Sequence, residues 1–159
     1  MTLKRKRAVL FSCLGLIVAA LVTIPLPAHA VLGESADSIA SDRVAMSAVR
    51  GATTVRSNYS IEEVAAGSTT IREYISLSGI VFGIAWNGMV HPDLATLLGS
   101  YAGDYNAAQK TARPAPGKRS SQVRTDRVVV EKWGHMRNLR GRAYAPALIP
   151  TGVNTDEIK

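Results

Sequence analysis

Cysteine is nearly absent: the 159 residues contain one, Cys13, together with two phenylalanines, two tryptophans and three histidines. Cys13 lies inside an N-terminal apolar run. If that run is removed as a leader, no thiol remains for a disulfide, a nucleophile or a metal site. "LFSC" imitates a lipoprotein cleavage box, but too little apolar sequence precedes it and too much follows. Beyond the first thirty residues only His91 and His135 supply imidazoles, and there is no Gly-x-Ser-x-Gly elbow, so a serine triad lacks its parts. No His-Glu-x-x-His or similar spacing exists, and His91, Asp93 and His135 would meet at a metal only by tertiary accident. "GKRS" at 117–120 invites a phosphate-loop reading that fails, because Ala112 stands where the earlier glycine is required and the stretch precedes a strand. Neither a metal nor a cofactor is expected.

Long apolar runs are also scarce, with one exception. "MTLKRKR" carries four positive charges and no negative one, and "AVLFSCLGLIVAALVTI" follows from Ala8 to Ile24. Pro25 and Pro27 then break the run, and Ala28-His29-Ala30 supplies the small-x-small pattern of a signal-peptidase site. A signal peptide over 1–30 with cleavage after Ala30 is expected, leaving one domain over 31–159 in the periplasm or outside the cell, with no stable membrane span. The competing reading, an uncleaved anchor, has a run at the short edge of what spans a bilayer and is opposed by the two prolines and the Ala-x-Ala.

The whole-chain charge of +7 includes Lys4, Arg5, Lys6 and Arg7; without those four it is +3. What remains is uneven. Residues 31–109 hold four basic and eight acidic side chains, whereas 110–142 hold ten basic ones and only Asp126 and Glu131 as acids. A basic loop is expected at about 111–121, in "TARPAPGKRSS", where Pro, Gly and Ser mark an exposed connection. Lys118, Arg119 and Arg124 are candidate contacts for an anion there; the plainer reading is a solvated face that balances the acidic half. Nucleic acid is a poor partner for an exported chain, so an anionic envelope component or another exported protein comes first.

The hydropathy pattern predicts a helix from about Ala36 to Val49, then one bent strand or two short ones over 53–65, ending at Ala66-Gly67-Ser68. "TTIREYISLSGIVFGIAW" from Thr69 to Trp86 reads as a hairpin. A type I turn at Leu77-Ser78 with Gly79 as a left-handed bulge residue sets Tyr74 opposite Phe82 and Glu73 opposite Gly83; a tighter loop sets Glu73 opposite Ile84 and Ile75 opposite Phe82. In either register Glu73 shares a face with Ile71 and Ile75. A covered carboxylate there must find a cation, accept hydrogen bonds or bind a proton, and Arg56, Arg127 and Arg140 are candidate neighbours. Glu73 is thus a candidate site residue whose bland alternative is a structural ion pair. It is also the acid that a glycan hydrolase would need, with Glu131 as a second carboxylate.

Leu94, Leu97, Leu98, Tyr101 and Tyr105 form one helical stripe, with Pro92 in the first turn and Asp93 near its positive end. Gly99 and Gly103 lie four apart, from close approach to another element or from chance. "VRTDRVVVEKWGHMRNLRGRAYAP" reads as a second hairpin turning near Gly134-His135, with Gly141 a candidate bulge. Pro146 and Pro150 end regular structure, and a helical turn capped by Asn154 or Thr155 closes the tail. Tyr74, Phe82, Trp86 and Trp133 could line a sugar or peptide groove, though aromatics on a hairpin usually belong to a core; Trp86 and Trp133 stand as candidates. The sum is an α+β fold, an antiparallel sheet of five or six strands with two main helices covering one face.

"SIASDR" (38–43), "REYISLSGIVFGIAW" (72–86), "PDLATLLGSY" (92–101), "GHMRNLRGRAY" (134–144) and "LIPTGV" (148–153) resemble a family of small exported bacterial proteins known only as a domain of unknown function. The resemblance implies export and a common fold but carries over no catalytic residue. The leading expectation is a non-enzymatic envelope module that binds an exported protein or an anionic component through a sheet edge and the basic segment. A glycan hydrolase using Glu73 and a membrane-tethered accessory protein are the alternatives.

Overall fold

The computed structural model describes residues 32–35, 49–112 and 120–159. Seven antiparallel strands form one sheet: β1 (Val49–Val55), β2 (Tyr59–Ala66), β3 (Thr69–Ser76), β4 (Val81–Gly88), β5 (Ser120–Arg124), β6 (Val129–His135) and β7 (Asn138–Tyr144), in the order β1-β2-β3-β4-β7-β6-β5. The chain meanders through four strands and leaves the centre at β4. It crosses one face as helix α1 (Leu94–Leu98), a 3-10 turn at Gly99–Tyr101 and helix α2 (Ala102–Thr111), then enters the far edge at β5 and returns to pair β7 with β4. No helix among the described residues is long and apolar enough to cross a membrane.

Seven strands replace the expected five or six, because 49–55 forms a complete edge strand and 120–124 pairs with β6 instead of remaining in the loop. In place of two main helices, the described residues contain the single helical segment 94–111; the helix expected over 36–49 lies outside them except for Val49, which opens β1. Asp93 itself caps α1, accepting from the Ala95 amide at 3.0 Å and from Thr96 Oγ1 at 2.7 Å, so Pro92 precedes the helix rather than starting it. A Cβ on Gly103 would meet nothing, so close approach does not explain that glycine.

The β3–β4 hairpin contains both expected registers. Gly79 has φ +79°, the Gly79 amide donates to Ser76 O and the Ser76 amide to Ile80 O, and Ile75 faces Val81, as the bulged turn requires. Between Val81 and Gly83 one extra residue is inserted, so that Tyr74 faces Gly83 and Glu73 faces Ile84. A second bulge thus converts one register into the other. The β6–β7 hairpin turns at Met136-Arg137, two residues beyond the expected point, with His135 opposite Asn138 and Arg137 at φ +64°.

Period-two alternation divides the core by faces. The inner face presents Ile71, Ile75, Val81, Ile84, Trp86, Val123, Val130 and Ala143, beneath Leu97, Leu98 and Tyr105 of the helical segment. On the outer face Tyr59, Tyr74, Phe82, Val129 and Tyr144 gather around Ile158 of the C-terminal tail. That tail runs through a 3-10 turn at Pro146–Leu148 to another at Thr155–Glu157, which has an Asn154–Glu157 capping box. Ile158 fits because Gly83 lies under it: a Cβ there would come within 2.9 Å of Ile158 Cδ1.

Candidate functional site

The sheet separates the residues singled out in the sequence. Glu73 and Trp86 are on the inner face, 1% and 2% exposed. Trp133 and Arg124 belong to the outer face, by alternation from Val129 and by pairing, whereas Lys118 and Arg119 lie outside the described residues. Glu73 therefore lies on the opposite face from Trp133 and Arg124.

Glu73 stands opposite Glu62 on β2 and Ile84 on β4, and both carboxylates are engaged in interactions of their own. Two of the arginines expected beside Glu73 have other partners, and the third lies elsewhere. Arg127 pairs with Asp104 at 2.9 Å and lies over the Tyr101 ring, Arg140 donates to Asn138 Oδ1 at 3.2 Å, and Arg56 lines a small cavity with Tyr59 and Glu157.

Trp86 is a structural hub. Its indole N–H donates to Nδ1 of His91 at 2.9 Å, and its ring occupies the space above Gly141, where a Cβ would lie 2.1 Å from Cζ2. Gly141 therefore makes room for the ring and forms no bulge, since the β4–β7 register is regular through it. An accepting Nδ1 must be unprotonated, and burial, followed by the nearby Lys132 charge, lowers the His91 pKa below its ordinary value of 6.5. Lys132 in turn donates to the Tyr105 hydroxyl at 2.9 Å, as does Gln109 at 3.1 Å. His91 thus fixes the orientation of the Trp86 indole.

The outer face has a covered half and an open half. One row crosses six strands, in the order Glu63, Arg72, Ala85, Arg142, Glu131, Gln122. Within it Arg72 Nε bonds Glu63 at 2.7 Å, Arg142 Nε bonds Glu131 at 2.5 Å, and Gln122 donates to Glu131 at 2.6 Å. The two arginines also reach the tail: Arg142 donates to Thr155 O at 2.7 Å and Arg72 to Lys159 O at 3.1 Å. This row is the border of the tail's footprint.

Beyond the border the next row reads Ala65, Thr70, Asn87, Arg140, Trp133, Ser120. Arg140 is exposed and directly opposite the half-buried Trp133. An indole, a guanidinium and an amide on neighbouring strands of one sheet face offer one apolar plate, a planar cation donor and a neutral donor–acceptor group. Arg140 and Asn87 were missed as site residues in the sequence. The signal was alternation with Trp133, usable only once the hairpin tip is set at Met136-Arg137.

At the opposite end of the sheet a cavity of about 480 Å³ is lined by Asn58, Ser76, Ser78, Leu148, Pro150 and Thr151 among others, with no ionisable side chain. A smaller one of about 240 Å³ borders Arg56, Tyr59 and Glu157. There Tyr59 donates to Glu157 at 2.7 Å; burial first, and the neighbouring carboxylate second, push the phenol up to about 12. The Asn154 amide and the Tyr59 hydroxyl hold Glu157 below its usual range. Neither cavity contains Glu73 or Glu131. Among the described residues no three His, Cys, Asp or Glu side chains gather as a metal site.

A family model for proteins of unknown function, DUF2844, matches residues 28–158, and the chain belongs to that family. The match takes in every strand and helix described above. No curated protein and no solved structure matches.

Proposed function

We propose that this chain is an exported, non-enzymatic binding module whose working surface is the open half of the outer sheet face, and that it takes an anionic component of the cell envelope. The observation that carries this reading is the cross-strand pair Arg140–Trp133 with Asn87 beside it, uncovered, while the neighbouring Arg72 and Arg142 are committed to the tail. Export rests on the basic, apolar and Ala-x-Ala succession of the first thirty residues. Hydrolysis by Glu73 has less support, because an acid must touch the glycosidic oxygen and this carboxylate is 1% exposed.

The test is binding of an acidic polysaccharide by protein recovered from the cell envelope, with mass spectrometry of its N-terminus. A start at Val31 and an affinity about tenfold weaker in Arg140→Glu are the expected results. Unchanged affinity in Arg140→Glu and in Trp133→Ala overturns the surface, and a retained residue 1 overturns cleavage.

A further inference from the structure

Exposed apolar side chains are not scattered over the sheet. Of the six large ones among the described residues, Val49, Met89, Val90 and Met136 lie at the end where β2 turns into β3, β4 leaves the sheet and β6 turns into β7; Val55 and Leu77 lie at the other end. Met136 is 92% exposed at the very tip of its hairpin, and Val90 is 56% exposed. Their backbones are anchored. The Met89 amide donates to Ser68 O at 3.2 Å, Thr69 Oγ1 donates to Val90 O at 2.9 Å, and a Cβ on Gly134 would lie 2.2 Å from Asn138 O, which shows how closely the hairpin tip is packed. Side chains that firmly held loops keep in water at one end of a sheet call for a second surface.

The charge at this end says what kind. Arg137 follows Met136 at the tip and Arg140 stands three residues further on, both exposed, with His135 and His91 nearby. Among the described residues Asp93, at this end, caps α1, and Glu63 is paired with Arg72. The half-buried Trp133 lies directly opposite Arg140. Apolar tips with a guanidinium and an indole level with each other behind them match the acyl boundary and the headgroup zone of an anionic lipid layer.

We infer that this end of the sheet docks on an anionic lipid surface, with Met136, Met89 and Val90 entering the headgroup–acyl boundary and Arg137 and Arg140 meeting lipid phosphates. The inference rests on the binding reading above and names lipid as the anionic component. An acidic, apolar protein surface offers the same charge, but it does not account for apolar tips standing ahead of a paired guanidinium and indole.

The experiment is sedimentation of the naturally processed protein with phosphatidylcholine vesicles, with and without phosphatidylglycerol, alongside the variants M136S/M89S and R137E/R140E. Binding confined to phosphatidylglycerol vesicles and about tenfold weaker in each variant is expected. So is a blue shift of tryptophan emission on binding, which reports Trp133 because Trp86 is already buried. These substitutions are at exposed side chains, so the variants should melt with the wild type. Absence of vesicle binding overturns the lipid inference; if acidic polysaccharide still binds through Arg140, the binding reading survives it, and if neither ligand binds, both fall. Equal binding of variants and wild type, or a wild-type dimer that the methionine variants dissociate, overturns the docking site as well.

Discussion

The inner and outer faces of the sheet are closed by different means. On the inner face the cover is a helical segment that inserts Leu97, Leu98 and Tyr105 into an apolar layer, each at most 4% exposed. On the outer face the tail inserts one fully buried side chain, Ile158, packs Leu148, Ile149 and Val153 beside it partly buried, and adds polar ties: Tyr74 donates to Lys159 O at 2.9 Å and accepts from the Lys159 amide at 3.0 Å, Arg142 and Arg72 hold tail carbonyls, and Tyr59 holds Glu157. A cover held by area must be wide. One held in good part by hydrogen bonds can be narrow, and so leaves the row with Arg140 and Trp133 outside its footprint.

Substitutions of equal size on the two covers should therefore differ in effect. Leu98→Ala is expected to cost about 4 kcal/mol, since helix and sheet both border the cavity and neither can collapse freely. A denaturant titration in which it costs less than Ile158→Ala would reverse the comparison. Ile158→Ala should cost about 2 kcal/mol, because a tail can settle toward Gly83, and hydrogen exchange should show the loss confined to the tail and the residues beneath it. Tyr74→Phe removes one donor and one acceptor at a partly buried position, and about 1 kcal/mol is expected from thermal melts; no change would mean that the apolar contact alone holds the tail.

The smallest contrast is in pH. His91 is held below 6.5, so its contribution is present above that value and lost as pH falls through the folded pKa, loosening the inner face. Tyr59 is raised from 10.0 to about 12, so its contribution is present below 10 and lost as pH rises through 12, loosening the tail. Melting curves of His91→Gln and Tyr59→Phe against pH should each lose one limb of the profile and keep the other.

Trp86 and Trp133 show how much could be read in advance. Each lies in a strand with a glycine within two residues, Gly88 and Gly134, and the chain itself does not say which of the two is covered. Alternation marks two sides of a strand but not which side is covered; Trp86 faces the helical segment and Trp133 does not. The β3–β4 register shows a second limit, because the Gly79 turn was legible from its chemistry whereas the extra residue at Phe82 answers to Ile158 and Gly83 on a face that only the distant tail completes. The hairpin tip at Met136-Arg137 was misplaced because it has no Asn-Gly or Asp-Gly pair to announce it. The role of His91 was not legible, since nothing local predicts an indole as its donor.

Local chemistry by itself determined the strands from Tyr59 to Gly88, the stripe Leu94–Leu97–Leu98–Tyr101–Tyr105, the left-handed turn at Gly79 and the Asn154 cap, because each depends on neighbours within a few residues. Tertiary structure alone decided that Glu73 is interior, that Gly141 makes room for Trp86, and that Arg142 serves the tail while Arg140 stays free of it. Those outcomes depend on pairs as distant as Tyr59 and Glu157, 98 residues apart, and on which segment closes each face. A period of two specifies sides; only the packed chain specifies what lies against them.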